Sequence, residues 1–325
     1  MAPAPSRLQD HEKDYERSQK KLELARMDAS RRNGYDSKST RTILRSEFTR
    51  ITGGLSAYTW QIDTAEALLL GLDCSVIAGT GAGKTMPFVM PLFIEKEKRV
   101  VIISPLNALE EDQRMKNNEY NVIITSPDMA LEHDPFRSFL SNPKLAQNIL
   151  SIIVDEAHCI SQWGEKFRPI YQRLGTLRAL VPAKVPFLAT SATMQPTVLS
   201  EVCNVLHINP IDSFHLNVGT DRPNIAWFIH RMKAAKSDLD ALNFVLKKDR
   251  ASDEITDLIQ TMVFFDDINV SLEALKHLRA HLAPELRGQI AVYHSRHSSN
   301  SKRRILEEFH SGKLKILLTT EAAGM

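Results

Sequence analysis

Short apolar runs recur along this chain at spacings that leave room for helices between them. A helical pattern begins at residue 44, and residues 64–70 (TAEALLL) form a strong helix just ahead of a β-prone run at 75–78. Apolar runs at 100–103, 122–124, 152–154 and 187–189 read as strands, with helix-compatible segments at 107–115 and 170–180. Strands alternating with helices predict an α/β fold with a parallel sheet. A turn-rich patch at 213–224 follows, and then a second alternation starts. Its strands are expected at 225–229, 261–265, 290–293 and 315–318, and its helices at 271–281 and 299–311. The boundary between the two lobes falls near Gly219, giving lobes at 37–219 and 220–325. Residues 1–36 are charged and almost free of aromatics, which predicts a disordered or loosely helical extension.

Composition adds bounds rather than a function. A length of 325 residues fits about two domains. The net charge of +2 is nearly balanced, so any nucleic-acid surface must be a local basic patch, not a global field. Cys74, Cys159 and Cys203 lie far apart, which offers neither a disulfide framework nor a zinc pattern and fits a reducing compartment. No apolar run approaches the ~20 residues of a membrane span, and the N-terminus lacks the apolar region of a signal peptide. A soluble intracellular protein is expected. Lys20, Lys21, Arg31 and Arg32 could belong to a nuclear import signal, but a solvated charged helix explains them better.

Two motifs carry chemistry. Residues 78–85 read AGTGAGKT after the run at 75–78, and 154–158 read VDEAH at the end of the run at 152–154. In the first, Gly79, Gly81 and Gly83 let the backbone curl. The loop Gly79, Thr80, Gly81, Ala82 and Gly83 then turns its N–H groups towards phosphates, with Lys84 and Thr85 opening a helix. Lys84 is placed to reach the β- and γ-phosphates of ATP, and the Thr85 hydroxyl to ligate Mg²⁺. Ala78 stands where the strict pattern has glycine. In the second motif, Asp155 suits the Mg²⁺ shell, and Glu156 suits the orientation or deprotonation of an attacking water. A Gly-rich turn alone is often only a turn, and an acidic pair after a strand only a solvated cap. The two in order, each after an apolar strand, make a nucleotide triphosphatase the leading reading.

Residues 155–174, DEAHCISQWGEKFRPIYQRL, closely resemble the DEAH box and the following aromatic-rich loop of RecQ-type DNA helicases of superfamily 2. The match extends over most of 40–325. Residues 104–113 (SPLNALEEDQ) resemble motif Ia, 190–193 (TSAT) motif III, and 221–224 (DRPN) the junction into the second lobe. Residues 261–266 are similar to motif IV, 293–294 and 318–325 to the run into motif V, and 58–61 fall where the family keeps its glutamine motif. The resemblance implies two tandem RecA-like lobes, the second incomplete, working on ATP with Mg²⁺. It assigns catalysis to Lys84, Asp155 and Glu156, the metal to Thr85 and Asp155, and the adenine edge to Gln61, although one glutamine before a helix is more often just surface. His158, Ser191 and Thr193 would couple the γ-phosphate state to lobe movement. Trp163, Phe167 and Arg168 would sense single-stranded DNA by stacking and cation attraction, core packing being the alternative for the two aromatics. The implied activity is ATP-dependent 3′–5′ helicase action on single-stranded or partly duplex DNA, in nuclear recombination and repair.

The chain departs from the family pattern in three places. Glu165 and Lys166 stand where the family commonly has His-Asp. Roughly one βα unit, on the order of 30 residues, is absent after Gln113. The sequence stops at Met325 inside motif V, before the arginine-bearing motif VI and the zinc-binding and winged-helix segments of longer relatives. On this ground a poor motor is expected, and the alternative function is an ATP- and nucleic-acid-binding remnant without unwinding. An RNA helicase is disfavoured, because residues 163–168 point to the DNA family.

Overall fold

The computed structural model describes residues 5–105, 121–162, 169–220, 224–233, 238–246, 255 and 257–320, with side chains from residue 14 onward. It divides into two compact units, Met1–Asn224 and Ile225–Met325.

The first unit is built on six parallel strands: β1 (Cys74–Ala78), β2 (Arg99–Ile103), β3 (Val122–Thr125), β4 (Ile149–Val154), β5 (Phe187–Ser191) and β6 (Phe214–Gly219). Their spatial order is β3-β2-β4-β5-β1-β6. Helices cover both faces, so the central strands read as continuous apolar runs whose alternate residues enter different cores. Val101, Ile103, Ile152, Val154 and Phe187 pack with Phe136, Leu140, Tyr171 and Leu174 on one face. Val76, Val100, Ile102, Ile153 and Leu188 pack with Leu22, Ala67 and Leu68 on the other. Each such buried side chain is worth about 1.5–3 kcal/mol over an exposed one. The order also puts β5 between β1 and β4. The loops that follow these three strands therefore share one carboxyl edge, which is where open α/β sheets bind ligands.

Four expectations about local structure are corrected. The segment 213–224 is not merely turns, because Phe214–Gly219 is strand β6, parallel to β1. Phe214 and Leu216 alternate into the core while His215 and Asn217 face the other way, and the polar half of that pattern imitates a turn. The chain divides into its two compact units after Asn224.

The N-terminal extension is an ordered helix, α1 (Pro5–Asn33), followed by α2 (Ser37–Ile51) and α3 (Thr59–Leu69). Beside the buried Leu22, its anchors are polar and distant in sequence. Ser18 Oγ donates to the His215 carbonyl (2.7 Å) and accepts from the His215 N–H (2.9 Å). One hydroxyl thus satisfies both backbone groups of His215 on edge strand β6, an edge that would otherwise be open to pairing there. Further along, Arg26 reaches Glu66 of α3 at 2.7 Å. Glu66 is fully buried, and it also accepts from Arg41 (2.8 Å), Tyr35 Oη (3.1 Å) and Ser37. Burial opposes its ionisation, but the bonds from Arg26, Ser37 and Arg41 outweigh that and hold its pKa below the usual range.

Residues 170–180 belong to a 3₁₀ helix, Pro169–Leu180, rather than an α-helix. Gly175 within it lies so close to Pro196–Val205 that a Cβ there would stand 1.9 Å from the Val205 carbonyl oxygen. Residues 225–229 do not form the expected strand: they carry no regular secondary structure, and Trp227 and Phe228 are exposed.

The second unit has a three-stranded parallel sheet, β7 (Thr261–Phe264), β8 (Ile290–Tyr293) and β9 (Ile316–Thr319), in the order β7-β9-β8. Its helices Ile268–Ala280 and Ser299–His310 start at side-chain caps from Asp267 and Ser298. Ala274, Leu278, Val292, Ile316 and Leu318 form one core, and Tyr293, Ile305, Phe309 and Leu317 form another.

Candidate active site

Strand β1 delivers the glycine-rich loop. Gly81 (φ 82°) and Gly83 (φ 81°) adopt the left-handed conformation that glycine tolerates. Ala78, by contrast, is the last residue of β1, buried and paired with Gly219, so a strand residue there needs no glycine. Gly79 is not left-handed, and a Cβ on it would meet nothing nearer than 3.7 Å. The helix after the loop, α4 (Met86–Val89), is short and passes into a 3₁₀ turn, Met90–Phe93. Lys84 and Thr85 precede it rather than open it. Pro87 is tolerated in its first turn, but Pro91 has no N–H for the carbonyl four residues back, which ends it.

Lys84 Nζ donates to the Ala78 carbonyl at 2.9 Å, folding back across its own loop. Thr85 caps α4 without using its side chain, leaving an exposed hydroxyl beside the loop. Gln61, buried in α3, is tied at both ends of its amide. Nε2 donates to the Gly83 carbonyl (3.0 Å) and Oε1 accepts from the Tyr58 N–H (2.9 Å). Thr80 and Ala82 complete the loop, Thr80 exposed and Ala82 packed against the core.

Strand β4 delivers the acidic pair. The Asp155 N–H bonds the Ile103 carbonyl (2.9 Å) and the Ala157 N–H bonds the Thr190 carbonyl (2.9 Å), which pins this turn between β2 and β5. Glu156 sits at φ 49°, an uncommon conformation for a residue with a side chain and the kind of strain found at working sites. Burial and the neighbouring Glu156 charge raise the Asp155 pKa, with Lys84 pulling the other way. Glu156 is held below the usual carboxylate range by its bond to His158, Lys84 adding to the effect. The charge of Lys84 thus acts on both acids.

His158 joins this turn to the end of β5. Its Nδ1 lies 2.8 Å from Ser191 Oγ and 3.2 Å from Glu156 Oε2. Ser191 Oγ in turn donates to the Thr193 carbonyl (3.0 Å) and accepts from the Thr193 N–H (3.3 Å). The expected coupling residues His158, Ser191 and Thr193 are therefore one bonded group. Cys159 is the neighbour missed when the cysteines were counted as three scattered thiols, for its Sγ lies 3.8 Å from His158 Nε2. Its place directly after DEAH was the available signal. The expected DNA contacts Trp163, Phe167 and Arg168 lie outside the described residues, as do most of motif Ia, residues 221–223 and residues 321–325.

The donors present fit a magnesium nucleotide. The Thr85 hydroxyl is uncommitted to capping, and the Asp155 carboxyl pays an electrostatic penalty that a divalent cation relieves. Among the described residues no cluster of three or more His, Cys, Asp or Glu side chains is arranged to hold a metal. Mg²⁺ is held by one or two carboxylates together with substrate phosphates and water.

The family model for DEAD/DEAH box helicase matches residues 58–120 and 109–202. ATP-dependent DNA helicase Q-like 2 of Arabidopsis thaliana is 26% identical over 84% of this chain and 41% of its own length. The probable ATP-dependent DNA helicase RecS of Bacillus subtilis is 27% identical over 87% of this chain and 58% of its own. The chain thus spans about half the length of these relatives. Among solved structures, the DUF1998 helicase MrfA bound to DNA and AMPPNP superposes with a TM-score of 0.56 at 18% identity, over 87% of this chain and 44% of that one. Mycobacterium smegmatis helicase Lhr, bound to ssDNA and AMP-PNP, gives 0.54 at 17%, over 86% and 41%. At such identities these superpositions establish the RecA-like fold alone. No described helix is long and apolar enough to cross a membrane, and relatives from both a plant and a bacterium leave the expected nuclear location without support. Residues 58–202 are thus similar to the DEAD/DEAH box helicase family, and the two relatives that match most of the chain are named as ATP-dependent DNA helicases.

Proposed function

We propose that this chain acts as an ATP-dependent DNA helicase of the RecQ type, hydrolysing ATP with Mg²⁺ to move 3′–5′ along single-stranded or partly duplex DNA in recombination and repair. The observation that carries the proposal is the convergence of Lys84 after β1, Asp155 and Glu156 after β4, and Ser191 at the end of β5, on one sheet edge. Lys84 leaves the Ala78 carbonyl to engage the β- and γ-phosphates. Glu156 aligns the attacking water and takes its proton. Thr85 and Asp155 would hold Mg²⁺, which would supply positive charge against the phosphates. His158 and Ser191 transmit the state of that edge to β5. The polarity and the repair role rest on the resemblance to RecQ-type helicases.

The test is ATP turnover titrated with single-stranded DNA and then with single-stranded RNA, followed by strand displacement on duplexes carrying a 3′ or a 5′ tail. Stimulation by DNA over RNA, with displacement only from the 3′-tailed duplex, is expected. Stimulation by RNA alone, or displacement from the 5′ tail, contradicts the proposal. Nucleotide and DNA binding without displacement would assign the chain to the remnant class instead.

A further inference from the structure

We propose that Cys159 is a positioning residue of the ATPase site: by engaging Nε2 of His158, its sulfur holds the ring so that Nδ1–H faces Ser191 and Glu156. The proposal rests on the DEAH turn being an ATPase site, as argued above. Three contacts decide the protonation of the ring. Glu156 Oε2, 3.2 Å from Nδ1, belongs to a carboxylate that only accepts, so Nδ1 carries a proton. Ser191 Oγ, at 2.8 Å, gives its own proton to the Thr193 carbonyl and so also accepts from Nδ1. That leaves Nε2 facing Cys159 Sγ at 3.8 Å.

Sulfur suits this place in either charge state of the ring. When the imidazole is neutral, Nε2 is bare and the thiol donates to it. When the imidazole is charged, Nε2–H donates to the sulfur. A residue with only one hydrogen-bonding role would serve one state and repel the other. The partial burial of His158 makes an unmatched Nε2 costly, and among the described residues Cys159 is the partner on that side. The charged groups acting around it are Glu156 and Asp155 on its own turn and Lys84 from the phosphate loop. The bonds to Cys159 and then Glu156 push its pKa up to about 9, consistent with acceptors on both nitrogens. His158 contacts both Glu156 and Ser191, so a ring free to swing would loosen this side-chain link between the acidic turn and β5.

The test reads the ring directly and does not depend on turnover. In the full chain labelled with ¹⁵N-histidine, His158 is assigned by the resonance lost in His158→Gln, and its tautomer and titration are followed in Cys159→Ser and Cys159→Ala. Cys159→Val serves as a second variant without a polar atom, closer to cysteine in volume, in case alanine does not fold. Serine keeps both hydrogen-bonding roles and is expected to retain the parent tautomer and titration. Alanine and valine are expected to lower the titration by about one pH unit, about a tenfold shift in the protonation equilibrium. The alkaline limb of the ATPase pH profile should move with them and be restored by serine. Unchanged His158 titration in a folded alanine or valine variant overturns the proposal. If no chain turns over ATP, parent included, while His158 still follows residue 159, the positioning stands and the ATPase assignment fails.

Discussion

Gln61 and Gly83 are joined across 22 positions of sequence by a 3.0 Å hydrogen bond from the glutamine amide to the glycine carbonyl. A Cβ on Gly83 would stand 2.7 Å from that amide nitrogen, so the contact and the glycine require each other. With its other end on the Tyr58 N–H, the Gln61 amide is spent on backbone and braces the phosphate loop.

From this follows a prediction about base selectivity. If Gln61 acts by bracing the loop, Gln61→Ala weakens ATP and GTP together, by about threefold to tenfold for one lost hydrogen bond. Competition against a fluorescent nucleotide measures both affinities. A loss confined to ATP would show that the amide turns to the adenine edge when nucleotide binds.

The buried Glu66 makes α1 part of the first unit. Glu66→Ala removes a buried carboxylate shared by Arg26 and Arg41, which keep Asp63 at 4.0 and 2.6 Å, and should cost about 1–3 kcal/mol in lost charged hydrogen bonds. Urea unfolding reads it. The folded-state pKa of Glu66 lies below its usual 4.5, so its stabilisation is complete above that value and is lost as pH falls through the depressed pKa. Acid unfolding of Glu66→Gln should therefore be less steep below pH 4.5 than that of the parent, and identical slopes would show that the network does not act this way. Removing residues 1–36 should also free the β6 edge and promote association, visible by light scattering.

Close packing at Gly175 is tested with a built-in control. Gly175→Ala places a methyl against the Val205 carbonyl and should cost about 1–3 kcal/mol, lowering the melting temperature. Gly288→Ala, where a Cβ meets nothing within 4 Å, should melt as the parent does. Equal melting of the two variants would mean that the segments around Gly175 separate freely.

Local pattern made the catalytic edge legible and left its supports hidden. The strands at 74–78, 149–154 and 187–191 declare themselves because burial on both faces makes them predominantly apolar, and Lys84, Asp155 and Ser191 stand at or just beyond their carboxyl ends. The support from α1 was hidden because Ser18 and Arg26 act through single polar contacts with partners 197 and 40 residues away. Nothing in a charged helix taken alone distinguishes an Arg that meets Glu66 from one in solvent. Strand β6 was hidden by its polar alternate residues, and residues 225–229 misled in the opposite sense, having strand composition without a partner strand. Cys159 was overlooked because its role depends on which nitrogen of His158 the fold turns towards it.

The most direct measurement of the central claim compares Glu156→Gln and Lys84→Ala with the parent, reading nucleotide affinity and single-stranded-DNA-stimulated turnover in the same preparation. Glu156→Gln removes only the water-directing carboxylate, so ATP affinity should stay within about twofold while turnover falls by about 10²-fold or more. Lys84→Ala removes a phosphate contact and a positive charge together, so affinity and turnover should both fall. If Glu156→Gln hydrolyses ATP as fast as an active parent, the edge formed by β1, β4 and β5 is not the hydrolytic site.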